Sequence, residues 1–282
     1  MRLCSNHLAK RDPVLLGLCQ KRQVFYMAKE ELFRNKFLGG LFRMLGAFPV
    51  KRGTGGADAL EDAYTLLEEN GVCSYQDLAN AASTYEFDYA FLQEIPYGSE
   101  NRLEGYLFPD TYEFYAGEDP VYAINKMLAN FERRMEDYFQ QIADQGQTLR
   151  EIVNVAAMIE RETDGQDQTT IASVIYNRLN NNDGGTYGYL QIDATIQYAL
   201  PEHKETLTDE DKAIDSPYNT YLYKGLPAGP ISNPGLESIK AAMNPNSTSY
   251  YYYALGDDGV HHFFKTLREQ QNFIATQELY NK

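Results

Sequence analysis

The chain has 282 residues, 43% hydrophobic and 23% charged, with a formal net charge of −15 and no low-complexity tract. That composition excludes a disordered, collagen-like or coiled-coil chain, and the acidic balance excludes a generic nucleic-acid binder, which needs clustered Lys and Arg. No apolar run approaches the ~18–20 residues that span a bilayer, and the first residues carry no signal-peptide core.

The charge is unevenly placed. Residues 1–71 hold 11 Lys and Arg against 8 Asp and Glu, and the remainder holds 14 against 32. Of the 23 tyrosines, 21 follow Tyr64. The chain thus reads as two segments meeting near Gly71. Cys4, Cys19 and Cys73 cannot all pair and none lies in a Cys-x-x-Cys, so free thiols are expected rather than a disulfide framework or a zinc site.

In the first segment, Arg22 to Lys29 has strand composition and Glu30 to Leu45 carries apolar residues at helical spacing. Ala47 to Lys51 reads as a short strand. Asp58 to Asn70 reads as an amphipathic helix with Leu60, Ala63, Tyr64 and Leu67 inward, closed by Gly71 as C-cap glycine. This strand–helix–strand–helix order fits part of an α/β layer. His7 and Asp12 form His-x4-Asp within Ser5-Asn-His-Leu-Ala-Lys-Arg-Asp-Pro13, a spacing that allows a carboxylate to orient an imidazole as general base, or merely a surface turn. With Gly46-Ala-Phe-Pro-Val-Lys-Arg-Gly53, that block resembles the 1-acylglycerol-3-phosphate acyltransferase family. The resemblance implies that His7 deprotonates an acceptor hydroxyl, Asp12 holds the imidazole and Arg52 binds the substrate phosphate. The family's following strand and Pro-Glu-Gly turn are missing, so residues 1–71 are expected to be a truncated fragment with a vestigial motif. The helix ending at Gly71 is then expected to lose its sheet partner, leaving Leu60, Tyr64 and Leu67 exposed and residues 65–80 open to proteases.

In the second segment, Thr148-Leu-Arg-Glu151 is a capping box opening a helix to about Glu162, with Ile152, Val155, Ala156 and Ile159 as its buried stripe. A second helix follows from Thr169 to about Asn180. Asp193 is placed to cap a short helix ending before Pro201, and Asn233-Pro234 to cap one running from Gly235 to Met243. Tyr250 to Leu255 and Val260 to Lys265 flank Gly-Asp-Asp-Gly as a hairpin. Adjacent strand residues face opposite sides, so at most one of His261 and His262 reaches a given site. The fold class is therefore α+β, preceded by the incomplete α/β fragment.

Glu160 shares its helix face with Ala156 and Ala157, which would let a bulky ligand approach its carboxyl, and an apolar wall favours the neutral form that a general acid needs. By spacing alone it reads more readily as a charged helix-end residue beside Arg161. Glu162 points to another side.

Seven blocks extend the case: Glu104-Gly-Tyr-Leu-Phe-Pro-Asp-Thr-Tyr112, Ile159-Glu-Arg-Glu-Thr163, Ser173-Val-Ile-Tyr-Asn-Arg-Leu179, Leu190-Gln-Ile-Asp-Ala-Thr195, Ser216-Pro-Tyr-Asn-Thr-Tyr221, Gly225-Leu-Pro-Ala-Gly-Pro-Ile231 and Asn244-Pro245. In this order they resemble the endolytic murein transglycosylases, the YceG-like family, over about residues 75–282. The resemblance implies that Glu160 is the catalytic acid/base in non-hydrolytic cleavage of internal MurNAc–GlcNAc bonds of peptidoglycan, giving 1,6-anhydro ends and terminating strand growth. It needs no metal or organic cofactor. Gln191, Asp193, Tyr218, Asn219, Thr220 and Tyr221, then Glu104 and Asp110, would shape the glycan groove; by type alone, Asp193 serves as well as a helix cap, Tyr221 as core, and Glu104 or Asp110 as turn residues. The partners implied are glycan strands and the cell-wall synthesis machinery. The family is anchored in the cytoplasmic membrane with its catalytic domain outside. Residues 72–282 are expected to lack the anchor and most of the LysM-like part, as in a fusion. Two alternatives stand beside this reading: acyl transfer to lysophosphatidate through His7 and Asp12, and a catalytically silent glycan-binding remnant.

Overall fold

A computed structural model describes residues 24–29, 47–50, 59–93, 95, 98–99, 101–163, 165–180 and 185–278. His7, Asp12 and Arg52, and the helix expected over 30–45, lie outside the described residues. The fold is mixed α+β, as the sequence pattern implies. Among the described residues no helix is long and apolar enough to cross a membrane.

The chain forms two compact units. The first includes the two N-terminal strands, Leu60–Leu103 and Leu107–Arg133. Its sheet has the order β2-β1-β3, with β1 (Val24–Lys29) central. β2 (Ala47–Val50) pairs parallel to β1 with Tyr26 opposite Ala47, and β3 (Tyr112–Tyr115) pairs antiparallel with Phe25 opposite Phe114. Among the described residues, three α-helices accompany it: α1 (Ala59–Glu69), α2 (Tyr75–Thr84) and α3 (Pro120–Met135), the last belonging to this unit as far as Arg133. Leu67, Leu78, Leu92, Leu103, Phe114 and Phe131 are all under 2% exposed. Each contributes about 1.5–3 kcal/mol relative to exposure.

Gly71 ends α1 as the sequence predicts. Its φ is +70°, Val72 N–H donates to the Leu67 carbonyl (2.9 Å) and Gly71 N–H to that of Glu68 (2.8 Å), the paired bonds of a Schellman turn. The expected exposed stripe, however, is buried: Leu60, Tyr64 and Leu67 are 3%, 4% and 0% exposed. Tyr75 of α2 meets the Tyr64 ring edge-on at 5.8 Å, and Tyr75 N–H donates to Glu68 Oε1 (2.9 Å). Gly117 N–H donates to the Gly71 carbonyl (3.1 Å), so chain from beyond β3 closes over the turn.

The second unit holds Glu104–Tyr106 and the chain from Arg134 onward. It contains α4 (Phe139–Asp144), α5 (Leu149–Glu162), α6 (Gln168–Asn180), α7 (Asp193–Ala199), α8 (Asp209–Lys212), α9 (Leu236–Met243) and α10 (Leu267–Ile274), with the hairpin β4 (Tyr252–Leu255) and β5 (His261–Phe264). α5 starts at the predicted capping box: Thr148 Oγ1 accepts from Glu151 N–H, and Glu151 accepts from Thr148 N–H (2.8 Å). A single buried stripe was expected, yet Ile152 to Ile159 are all buried. The reason is that α5 is the centre of the unit, packed on by α4, α6, α7 and α9 and bonded by the 226–232 loop, where Asn154 Nδ2 reaches the Pro227 carbonyl (2.8 Å) and Ser232 Oγ that of Ala157 (3.0 Å). Glu104–Tyr106 presses on the same core. A Cβ at Gly105, whose φ is +91°, would lie 2.7 Å from both Pro230 Cγ and Val153 Cγ1, so only glycine fits.

Polar side chains of α6 clamp the segment entering β4. Asn177 Nδ2 donates to the carbonyls of Thr248 (3.0 Å) and Tyr250 (2.9 Å), and the buried Arg178 donates to those of Tyr251 (2.6 Å) and Leu190. In the hairpin, Tyr253, His261 and Phe263 share one face, while His262 and Phe264 meet Phe273 of α10 on the other. The two histidines thus part as strand alternation requires.

Two outcomes follow for the turn between α1 and α2. Limited proteolysis mapped by mass spectrometry is expected to spare residues 65–80; an early cut there would contradict the burial of α1. Burial, then Glu118, Asp77 and Asp119, push the Cys73 thiol up to about 11, so at near-neutral pH it holds about a hundredfold less thiolate than an ordinary cysteine and alkylates correspondingly slowly. Iodoacetamide kinetics on the folded and denatured chain measure this.

Candidate active site

The last turn of α5 carries two carboxylates that face different partners. Glu160, half-buried, accepts two hydrogen bonds at Oε2: from Gly235 N–H (3.0 Å) and from the Ser238 hydroxyl (2.6 Å). Its Oε1 makes no hydrogen bond among the described residues. Gln168 Nε2, at the start of α6, donates to the same Ser238 oxygen (3.0 Å). Glu160 therefore sits at the N-terminus of α9, where free amides favour an acidic group.

This arrangement corrects the expectation that Asn233 caps α9. Gly235 holds the N-cap position without a side-chain bond, because Glu160 supplies the acceptor. Asn233 is engaged elsewhere: its Nδ2 donates to Glu104 Oε1 (3.0 Å) and its Oδ1 accepts from Gly105 N–H (2.9 Å). Ala156 and Ala157 are corrected too. Both are 0% exposed, so their small size admits neighbouring protein rather than a ligand.

Glu162 Oε2 accepts from the Tyr253 hydroxyl (2.6 Å). Burial pushes the Glu162 carboxyl above its ordinary value of 4.5, opposed by the Tyr253 bond and by His261 and Arg178, and assisted by Asp193. Burial and the same carboxylate raise the Tyr253 hydroxyl. Next to this pair, His261 Nδ1 lies 2.6 Å from Asp167 Oδ2, and the Thr163 hydroxyl donates to the other Asp167 oxygen. None of Glu162, Tyr253, Asp167 and Ser238 was singled out from sequence as a site residue.

The remaining candidates divide by role. Gln191 is exposed and held at φ +52°, a conformation uncommon outside glycine, with its N–H on the Thr220 carbonyl (3.1 Å). Asp193 is not the cap of α7; Ile192 is, and the Asp193 side chain instead accepts from the Tyr221 hydroxyl, with Lys212 Nζ 3.7 Å away. Burial, then Asp193, raise the Tyr221 hydroxyl strongly. Asn219 and Thr220 face inward. Asn219 Nδ2 donates to the carbonyls of Lys212 (3.0 Å) and Ile214 (2.7 Å), its Oδ1 accepts from Tyr221 N–H (2.8 Å), and Thr220 Oγ1 accepts from Ile192 N–H (3.0 Å). Tyr218 packs on Tyr198 at 4.7 Å. Glu104 is 2% exposed, in the second unit. Asp110 belongs to the first, accepting from Thr111 N–H (2.9 Å) and Asn130 Nδ2 (3.2 Å). A cavity lined by Glu86, Asp88, Tyr89 and Arg102 also lies in the first unit and holds none of these residues.

A family model described as the YceG-like family matches residues 54–276. The chain belongs to the YceG-like family. An acyltransferase family model matches residues 3–75, so the two matches overlap over 54–75, which include α1. The endolytic murein transglycosylase of Bacillus subtilis is 39% identical over 169 residues, 59% of this chain and 46% of that protein. The 1-acyl-sn-glycerol-3-phosphate acyltransferase of the same organism is 40% identical over 71 residues, 25% of this chain and 36% of that protein. The chain thus spans less than half the length of either. A crystal structure of a YceG-like protein from Listeria monocytogenes superposes with a TM-score of 0.66 at 28% identity, covering 84% of this chain and 80% of that one. An acyltransferase-like start followed by a YceG-like body fits a fusion.

The raised Glu162 carboxyl gives a pH test. Its neutral form is favoured by the folded state, so its contribution to stability is complete below 4.5 and is lost as pH rises through the folded value. Glu162→Gln, always neutral, should therefore gain in Tm relative to the native chain as pH rises above the ordinary value of 4.5. Parallel melting curves in one buffer series decide it.

Proposed function

We propose that this chain is a peptidoglycan lytic transglycosylase that cuts internal MurNAc–GlcNAc bonds through Glu160. The observation that carries the proposal is the Glu160 carboxyl itself: one oxygen held by Gly235 N–H and the Ser238 hydroxyl, the other free to bear a proton. Glu160 gives that proton to the leaving glycosidic oxygen. The two donors then lie on a carboxylate whose negative charge has just developed, which is where fixed dipoles lower a barrier. The sugar's own C6 hydroxyl attacks the anomeric carbon, and Glu160 takes the hydroxyl proton, closing the 1,6-anhydro ring. A second carboxylate to activate water, which a hydrolytic glycosidase needs, is not required. Attack from within the sugar supplies much of the positional advantage.

Gln191, Asp193 and Tyr221 contact the glycan, and Tyr218, Asn219 and Thr220 hold the loop that presents them. Glu104, through Asn233 and Gly105, sets the chain beside the N-terminus of α9, and Asp110 supports the first unit. The activity would end growing strands, in concert with cell-wall synthesis, outside the cytoplasmic membrane. Residues 1–71 form an acyltransferase-derived part with His7, Asp12 and Arg52 as a vestigial motif, and residues 72–282 the catalytic part. The B. subtilis relative named a transglycosylase supports the reaction class.

Mass analysis of products from uncrosslinked peptidoglycan strands tests the proposal. The native chain should release internal fragments with 1,6-anhydro ends. Glu160→Gln should lower the rate by about 10²–10⁴, the usual worth of a general acid. An unchanged product pattern in that variant would sink it, and binding to sacculi without products would favour a silent glycan-binding remnant.

A further inference from the structure

We infer that His261, fixed by Asp167, is a further substrate-contacting residue of this site, its Nε2 accepting a hydrogen bond from a sugar hydroxyl beside the bond that Glu160 cleaves. This rests on the glycan-cleaving reading above, and it adds a residue that the reaction scheme leaves unused.

The imidazole is held from two sides. Asp167 Oδ2 lies 2.6 Å from Nδ1, and a carboxylate only accepts, so Nδ1 carries a proton, and in the neutral ring Nε2 is the acceptor. Asp167 is itself fixed by the Thr163 hydroxyl on its other oxygen. The ring packs edge-on against Tyr253 at 5.6 Å, and Tyr253 is bonded to Glu162. The His261 and Asp167 side chains are only 13% and 18% exposed. With Nδ1 committed to a buttressed carboxylate, Nε2 is the polar atom of the ring left to meet a ligand. Among the described residues Nε2 has no hydrogen-bond partner.

The pair is tied to the acid through one segment of the chain. Thr163 follows the turn that carries Glu160 and Glu162, and Asp167 adjoins Gln168, whose amide reaches the Ser238 hydroxyl bonded to Glu160. Thr163, Asp167 and Gln168 therefore buttress both Glu160 and His261. An acceptor at this place matches a sugar, whose hydroxyls donate, and orienting the reacting ring is what an intramolecular attack requires. His262 offers the internal comparison: it faces α10, is more exposed and bonds Asp258 within its own hairpin (3.0 Å).

The test uses the full chain labelled with ¹⁵N-histidine and titrated with soluble uncrosslinked glycan strands, with kinetics on the same samples. On saturation the His261 imidazole signals should shift and those of His262 should not. His261→Ala should raise KM about tenfold, roughly one hydrogen bond, with a smaller change in kcat. Asp167→Asn should do the same with the ring still present, because the amide permits the opposite tautomer, and its ¹⁵N shifts should report that change. His262→Ala should leave both constants unaltered. The inference is overturned if glycan saturation leaves the His261 signals unmoved, or if folded His261→Ala and Asp167→Asn keep the native KM. Should the native chain bind strands without cutting them, the imidazole shift still decides the inference while the transglycosylase reading falls. A native chain that neither binds nor cuts removes both.

Discussion

The second unit depends on one contact: the Glu160 carboxylate against the N-terminus of α9. α5 is covered on all sides for eight residues, and a helix in that position must satisfy whatever polar groups emerge at its ends. Glu160 emerges where Gly235 and Ser238 offer donors, so the contact ties the central helix to α9 and fixes the carboxyl together. Because Asn233 is relieved of capping, it holds Glu104 and Gly105, and only a glycine at 105 lets that segment lie against Pro230 and Val153. A stabilising contact and a site geometry are here the same bonds. Removing the carboxylate would leave the amide at Gly235 and the Ser238 hydroxyl to find other acceptors, so glutamine is the more conservative replacement than alanine.

Two positions along the helix, Glu162 meets the reverse conditions. Glu160 is held by a backbone amide and a hydroxyl, whereas Glu162 is packed beside Tyr253 with Arg178 and His261 near enough to be felt. A difference of two residues turns a side chain about 200° around a helix, so neighbouring carboxylates of one sequence motif enter environments built by different parts of the chain. Arg178, whose charge is felt at Glu162, ties that surrounding to the scaffold. It binds the carbonyls of Tyr251 and Leu190, joining the strand that carries Tyr253 to the loop that carries Gln191.

What was legible in the sequence was mainly what is local. The capping box at Thr148, the glycine stop at Gly71 and the hairpin around Gly-Asp-Asp-Gly need only residues a few positions apart, and all three form. The cap assigned to Asn233 failed because a better acceptor, Glu160, arrives from 75 residues away. The single stripe on α5 failed because the 226–232 loop covers a face that helical periodicity leaves polar or small. Glu162 and Asp167 escaped notice because their partners, Tyr253 and His261, lie 91 and 94 residues along the chain. Within the block Ser216 to Tyr221 the residue types pointed to one groove, but Asn219 and Thr220 spend their hydrogen bonds on the backbone of their own loop and of Ile192.

The failed expectation at α1 has the same origin and reaches further. A fragment cut from an α/β layer leaves a strand edge and an apolar helix face unpartnered, and such features are normally unstable or sticky. Here the strand that completes the first unit's sheet is β3, which lies only in the YceG-like match, whereas β1 and β2 lie only in the acyltransferase match. The central strand β1 therefore pairs with one strand from each match, parallel on one side and antiparallel on the other. Residue 117 of the YceG-like part bonds back to Gly71, and α1, claimed by both matches, is buried rather than stranded. The two matches thus meet in the sheet as well as in the sequence: the N-terminal strands take part in a layer that residues 112–115 share.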